Sequence, residues 1–341
     1  MRPVSRSIWA LAGAMLLAAV TVFLSTCGGI GGSEFSGGGT GGTGISTAAI
    51  SGFGSVVMNG VHYRTDNNVA PGFKTKKVVN GKDKSGRPDS DVFAVGMIVT
   101  VRHGVADNNA LEIEYRDNLQ GPVAAKASGV DNVIVILGHT IVVENAAIFA
   151  SLKQNDLVEV SGYADNAGRI RASRIFSLPP PLPPPAQEFE VKGFVSGLSL
   201  SDAAFRLGPL PDGSGVTVAV SYDAAAIAGL SGGLDNGIFV QVTTTDTAPM
   251  AGSITATLIE RLASRTEFPD GTPVDLEGLV TTLPSGFGKV LSFTVEGKRI
   301  RTDDTTDFTG HSPAEIQPNT KVLVQGTETG GFLSAARIVF Q

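Results

Sequence analysis

Leu157-Val158-Glu159-Val160-Ser161-Gly162 alternates apolar and polar side chains with a period of two, the mark of a strand buried on one face. It is not alone. The same centre returns as Val99-Thr100-Val101, Val240-Gln241-Val242 and Val322-Leu323-Val324. Ahead of each centre stands a polar turn pair: Val95-Gly96, Asn155-Asp156, Asn236-Gly237 and Pro318-Asn319. A fixed order of landmarks repeated along a chain marks tandem structural units.

The order extends in both directions. Each unit opens with a Gly inside a short apolar strand: Ser51-Gly52-Phe53, Gly121-Pro122-Val123, Gly193-Phe194-Val195 and Gly278-Leu279-Val280. A turn Gly then launches the next strand, at Gly60, Gly138, Gly215 and Gly297. Each unit closes on another strand, Ile170 to Ile175, Ile254 to Ile259 and Leu333 to Ile338, with a looser version around Leu111-Glu112-Ile113-Glu114-Tyr115. There is room for one helical turn before the Val-x-Val strand. Ser312-Pro313-Ala314-Glu315 has its signature, an N-cap Ser, Pro at the first position and Glu three residues on. About five short strands and one helical turn over a small core suggest an OB-like barrel, because closure removes exposed edges. A small sandwich is the rival. The expected fold is all-β, with four tandem OB-like β-barrel modules over residues 45–118, 119–178, 188–266 and 267–341.

Two segments fall outside the repeats. Pro179-Pro180-Pro181-Leu182-Pro183-Pro184-Pro185 reads as a polyproline II spacer (179–187) about 20 Å long. It is expected to divide two separable halves, 45–178 and 188–341. The N-terminus carries Arg2 and Arg6, then an apolar run from Ile8 to Leu24, then Leu24-Ser25-Thr26-Cys27-Gly28-Gly29. That is the form of an export signal. A spanning helix is the alternative, at the short limit of about 17 residues. Gly28 to Gly44 is almost wholly Gly, Ser and Thr, the composition of a flexible leash.

The end of the apolar run resembles a bacterial lipobox. The resemblance implies a signal peptide over 1–26, a lipid on Cys27, and a leash over 27–44. Gly28 after the Cys, rather than Asp, implies the outer membrane, at its periplasmic or surface face. Ile50-Ser51-Gly52-Phe53-Gly54-Ser55-Val56-Val57-Met58-Asn59-Gly60-Val61 resembles the start of a bacterial family of unknown function, whose members are mostly lipoproteins with tandem small barrels. Asp91 to Val101 resembles its second signature, and Leu157 to Gly162 with Gly168 to Ile175 its closing one. The resemblance covers 45–178 more fully than 188–341. It implies a fold and a cell-envelope location and no activity.

Chemistry is sparse. Cys27 is the only cysteine, so the mature chain has no disulfide and no thiolate beyond the anchor. Loss of Arg2 and Arg6 takes the net charge from −6 to −8, which argues against nucleic acid as a partner. His62, His103, His139 and His311 follow no metal-ligand spacing and read as solvated. Asp89/Asp91 and Asp303/Asp304/Asp307 read as turn caps, with calcium as the alternative for the second group. Gly213-Ser214-Gly215 and Gly252-Ser253 lack the strand–elbow–helix context of a serine nucleophile. No catalytic residue, metal or cofactor is expected. One charged feature remains. Lys74, Lys76, Lys77, Lys82, Lys84 and Arg87 crowd an insertion in the first unit, either as a solvated loop or as a patch facing anionic lipid or polysaccharide. The expectation is a lipid-anchored, non-enzymatic binding or structural module. A carbohydrate- or polyanion-binding lipoprotein and a hydrolase with an unrecognised site are the alternatives.

Overall fold

The computed structural model describes residues 43–66, 69–179, 187–246 and 253–341. The signal segment 1–26, Cys27, nearly all of the leash and most of the polyproline spacer lie outside these residues. Thr43 and Gly44, read above as leash, already belong to the first strand.

The protein is all-β. Module 1 contains β1 (Thr43–Ala49), β2 (Val56–Met58), β3 (Val61–Tyr63), β4 (Lys76–Val79), β5 (Lys82–Asp83), helix α1 (Asp89–Val92), β6 (Ile98–Gly104) and β7 (Ala110–Tyr115). Module 2 contains β8 (Leu119–Ala127), β9 (Val133–Ile136), β10 (His139–Val142), α2 (Ala146–Ser151), β11 (Leu157–Ala164) and β12 (Ile170–Ser177). Module 3 contains β13 (Phe189–Ser199), β14 (Ala204–Gly208), β15 (Val218–Tyr222), β16 (Phe239–Thr244), β17 (Ser253–Ala256) and β18 (Leu258–Arg261). Module 4 contains β19 (Pro273–Leu279), β20 (Ser285–Phe287), β21 (Val290–Val295), β22 (Lys298–Arg301), β23 (Lys321–Thr329) and β24 (Phe332–Phe340).

Module 2 is a closed five-stranded barrel. Its circuit runs β8–β9–β10–β12–β11 and back to β8, with β10 and β12 parallel and the other neighbours antiparallel. The other modules repeat the circuit with local changes. In module 3 the closing strand is broken at Thr257 into β17 and β18. In module 4 the β19–β21 contact is the single bridge Val280↔Val295. In module 1 two bridges, Gly52↔Val57 and Arg64↔Asn109, do the same work.

Local sequence explains these elements. In β11, Val158 and Val160 are fully buried while Glu159 faces outward, as strand alternation requires. The hairpins β2–β3, β9–β10 and β21–β22 turn on Asn59-Gly60, Leu137-Gly138 and Glu296-Gly297, all at positive φ. A two-residue turn with both positions left-handed matches the twist of paired strands, which accounts for the turn Gly of modules 1, 2 and 4, whereas Gly215 lies in the longer loop between β14 and β15. The capping box at Ser312 and Glu315 forms as expected on a 3-10 turn, Pro313–Glu315. Asn145 caps α2 by accepting from the Ala147 and Ile148 amides.

The assembly of modules departs from the expected two halves. β1 pairs with β6 of its own module and, in parallel, with β19 of module 4, in the register Ile45↔Val274, Ser46↔Asp275, Thr47↔Leu276. β8 pairs with β13 across the spacer, at Val191↔Leu119 and Glu190↔Gln120. Modules 1 and 4 therefore share one eleven-stranded sheet and modules 2 and 3 another. One apolar core runs through modules 2 and 3, while Ile45 of β1 packs into the core of module 4. Residues 43–341 fall within one compact unit, because the first strand is a structural part of the last module.

Candidate functional site

The modules meet on their outward strand faces, and those faces carry charge. Alternation on β6 sends Val99 and Val101 into the core of module 1 and leaves Thr100 and Arg102 outside. On β7, Ile113 and Tyr115 point inward while Glu112 and Glu114 point outward. These outward residues form one wall of a cavity of about 360 Å3. Ala164 of module 2, Lys192, Phe194 and Phe239 of module 3, segment 263–268 and Glu296 of module 4 complete it.

The cations on this wall have internal partners. Lys76 meets Glu112 at 2.8 Å, and Arg116 meets Glu114 at 2.7 Å. Lys192 lies 2.5 Å from Asp117, both side chains almost wholly buried. Asp117 also accepts from Asn80 Nδ2 at 2.9 Å and Gln120 Nε2 at 2.5 Å. Arg265 pairs with Glu296 at 2.7 Å and donates to the Gly162 carbonyl at 2.7 Å. Arg102 is the loosest, 4.0 Å from Glu112. Among the described residues the exposed Glu267 carboxylate makes no ion pair. Burial raises the pKa of Glu296 above the usual carboxylate range, against the pull of Arg265. Glu296 also sits at φ 51, a strained conformation for a residue other than Gly or Asn, and this turn aims its carboxylate at Arg265.

A second cleft of about 630 Å3 lies between modules 3 and 4. It shares Phe194, Phe239, Ser264, Thr266 and Glu267 with the first. Phe194 and Phe239 pack edge to face with centroids 4.9 Å apart. The far wall is rich in hydroxyls: Thr281 Oγ1 lies 2.6 Å from Thr294 Oγ1, which donates to Thr282 Oγ1 at 3.0 Å.

The basic insertion is a β-hairpin, β4–β5, which also extends the sheet beside β7. Lys77 leaves the expected patch. Its side chain is fully buried, and its ammonium contacts Asp89 at 2.8 Å, Asp66 at 3.0 Å and the Arg87 carbonyl at 2.7 Å. The strand period turns Lys77 inward and leaves Lys76 outside, where Glu112 neutralises it. Lys74, Lys82 and Arg87 stay exposed, and Lys84 is half-buried.

Two histidines read as solvated are buried. His103 Nε2 lies 3.1 Å from Ser46 Oγ, which receives a hydrogen bond from Tyr63 at 2.7 Å and donates to Asp275 at 3.4 Å. This cluster spans β1, β3, β6 and β19. It is not arranged as a hydrolytic triad, since Asp275 contacts Ser46 rather than His103 and Ser46 is 2% exposed. It seals the seam between modules 1 and 4. Burial lowers the pKa of His103 and raises that of Asp275. His139 is pushed down to about 4 by burial, and its Nε2 has no hydrogen-bond partner. Tyr163 locks module 2 onto the others by accepting from the Ala49 amide at 2.9 Å and donating to Glu277. Lys321 pairs with the same Glu277 at 2.9 Å. Asp303 caps its own turn, accepting from Thr305. Among the described residues no group of three His, Cys, Asp or Glu is placed to hold a metal, and no helix is long and apolar enough to cross a membrane. Sequence reasoning missed the cavity. Its residues come from all four modules and share no motif.

A family model, a domain of unknown function named DUF5666, matches residues 120–175 and 277–339. The chain resembles DUF5666 twice. The two matches cover modules 2 and 4 almost end to end, one in each half, so the likeness is not concentrated in 45–178 as the sequence signatures implied. No curated protein matches the chain.

Proposed function

We propose that this is a lipid-anchored cell-envelope protein, held by Cys27 at the outer membrane, that binds a ligand and does not transform it. The observation that carries the reading is the 360 Å3 cavity, whose walls come from four separate modules. Its size lies in the range of small-molecule sites, about 300–1,000 Å3. Beside their apolar seams the modules bring paired charges to this one place and leave space between them, which packing for rigidity alone does not require. Catalysis is disfavoured because the buried carboxylates on the wall are tied to Lys192 and Arg265. Exposed Lys74, Lys82 and Arg87 favour a weak, salt-sensitive attraction to anionic lipid or polysaccharide.

The anchor and the cavity have separate tests. Cys27→Ser should release the protein from membranes and end palmitate labelling. A variant that stays in the membrane would replace the lipid anchor with a spanning helix. For binding, soluble protein lacking residues 1–42 is incubated with the small-molecule fraction of an envelope extract and weighed by native mass spectrometry. A discrete added mass is expected, and Thr100→Trp, which fills the cavity from its half-buried wall position, should abolish it. No added mass, or one that survives Thr100→Trp, would overturn the binding reading.

A further inference from the structure

We infer that the ligand is an uncharged linear saccharide that lies across both cavities. This rests on the binding reading above and names its chemical class.

The charge pattern comes first. A polyanion site needs cations free to meet it, yet Lys76, Lys192, Arg116 and Arg265 each already hold a carboxylate. Recruiting Lys192 or Arg265 would strand the buried Asp117 or Glu296, a heavy cost in a low-dielectric site, and the more exposed Lys76 and Arg116 are already neutralised by Glu112 and Glu114. Lys298, in the second cleft, is likewise held by Glu328 at 2.6 Å. The remaining loose groups are of both signs: Arg102 and Glu267 in the first cavity, exposed Arg261, Arg299 and Asp212 in the second. Such a surface presents hydrogen-bonding atoms in fixed places without a strong net field.

The hydroxyl wall comes next. Thr281, Thr282 and Thr294 form a linked row, and Ser264 with Thr266 forms another at 3.0 Å. A hydroxyl is both donor and acceptor, so these rows complement a ligand whose groups are also both. Sugar hydroxyls have that property.

Shape and apolar surface complete the case. The two cavities share Phe194, Phe239, Ser264, Thr266 and Glu267, which makes an elongated site with the aromatic pair at its divide. A pyranose presents an apolar C–H face as well as hydroxyls, and the partly exposed ring of Phe239 offers it a flat apolar partner. An elongated site with one hydroxyl row along the second cleft and another beside the aromatic divide fits a chain of several sugar units better than a single one.

The test is isothermal titration of the protein lacking residues 1–42. The probes are cellotetraose, maltotetraose and tetra-N-acetylchitotetraose, with dextran sulfate as the anionic comparison, each at low and high salt. At least one neutral tetrasaccharide should bind saturably and more tightly than its monosaccharide, with little salt dependence. Phe239→Ala should weaken it about tenfold or more, equivalent to the loss of one good contact. Thr282→Val, a half-buried change that preserves side-chain volume, should weaken it less but measurably, which keeps the test valid if Phe239→Ala misfolds. Binding of dextran sulfate alone, collapsing with salt, would overturn the saccharide class while leaving a binding protein in place. Silence from all three neutral probes would overturn it as well. The added mass from the envelope extract reports separately on whether the cavity binds anything. A tetrasaccharide that binds equally well to both variants would overturn the location.

Discussion

His139 shows how one side chain can set acid sensitivity. Its imidazole is sealed in module 2 and held neutral, with a pKa near 4 against about 6.5 when unfolded. The unfolded chain therefore binds the proton more readily, and stability falls as pH drops through 6.5 and goes on falling to about 4. Asp275, Glu159 and Glu296 act in the opposite sense. Their raised values mean that folding is helped, not harmed, as acid protonates them. His139→Leu removes one contribution and leaves the others. Urea titrations at pH 7 and pH 4.5 should show the variant losing less stability on acidification than the parent, by up to about 3 kcal/mol. Equal losses would mean that His139 gains a proton partner on acidification. The sequence disclosed nothing of this. A lone His in a strand looks the same whether its face turns in or out, and only the register of β10 against β9 and β12 decides.

At the scale of elements, the period-two pattern was sufficient for most strands, and the turn glycines for most hairpins. These signals are local and survive in any context. The β-bulges were less visible. β11 slips register between Ser161 and Gly162, and β23 between Gln325 and Gly326, at corresponding points in modules 2 and 4. At each bulge the backbone of the closing strand approaches the Gly closely. A Cβ on Gly326 would come within 2.1 Å of the Ser334 carbonyl oxygen, and one on Gly162 within 2.4 Å of that of Arg171. Gly326→Ala should thus cost about 1–3 kcal/mol through forced displacement of β24. Gly129→Ala, at a hairpin tip with 3.7 Å of clearance, should change the denaturant midpoint little. Similar midpoints for the two would mean that β24 yields freely. The parallel pairing of β1 with β19 left no trace in the pattern. Ser46, Asp275 and Tyr163 look like surface residues until a neighbouring module covers them, so neither the seams nor the cavity between them could be read from one unit at a time.

For the whole molecule, those seams decide what holds together. The spacer was expected to separate two halves, yet strand pairing crosses between them at both β1–β19 and β8–β13. A protease site inserted at Leu182 and cut after folding should yield two fragments that still elute as one species and part only in denaturant. Separate elution would show that strand pairing and the shared core need the covalent link. Ser46 and Asp275 touch across 229 positions of chain, and this separation bears on how the molecule is made. A chain delivered from its N-terminus presents β1 long before β19 exists. Until then one edge of β1 is unpaired and Ile45 lacks the core it fills in module 4, and contacts so distant in sequence form slowly. The first barrel to emerge is thus the last to be finished, and loss of the C-terminal module would expose a sticky strand at the opposite end of the chain.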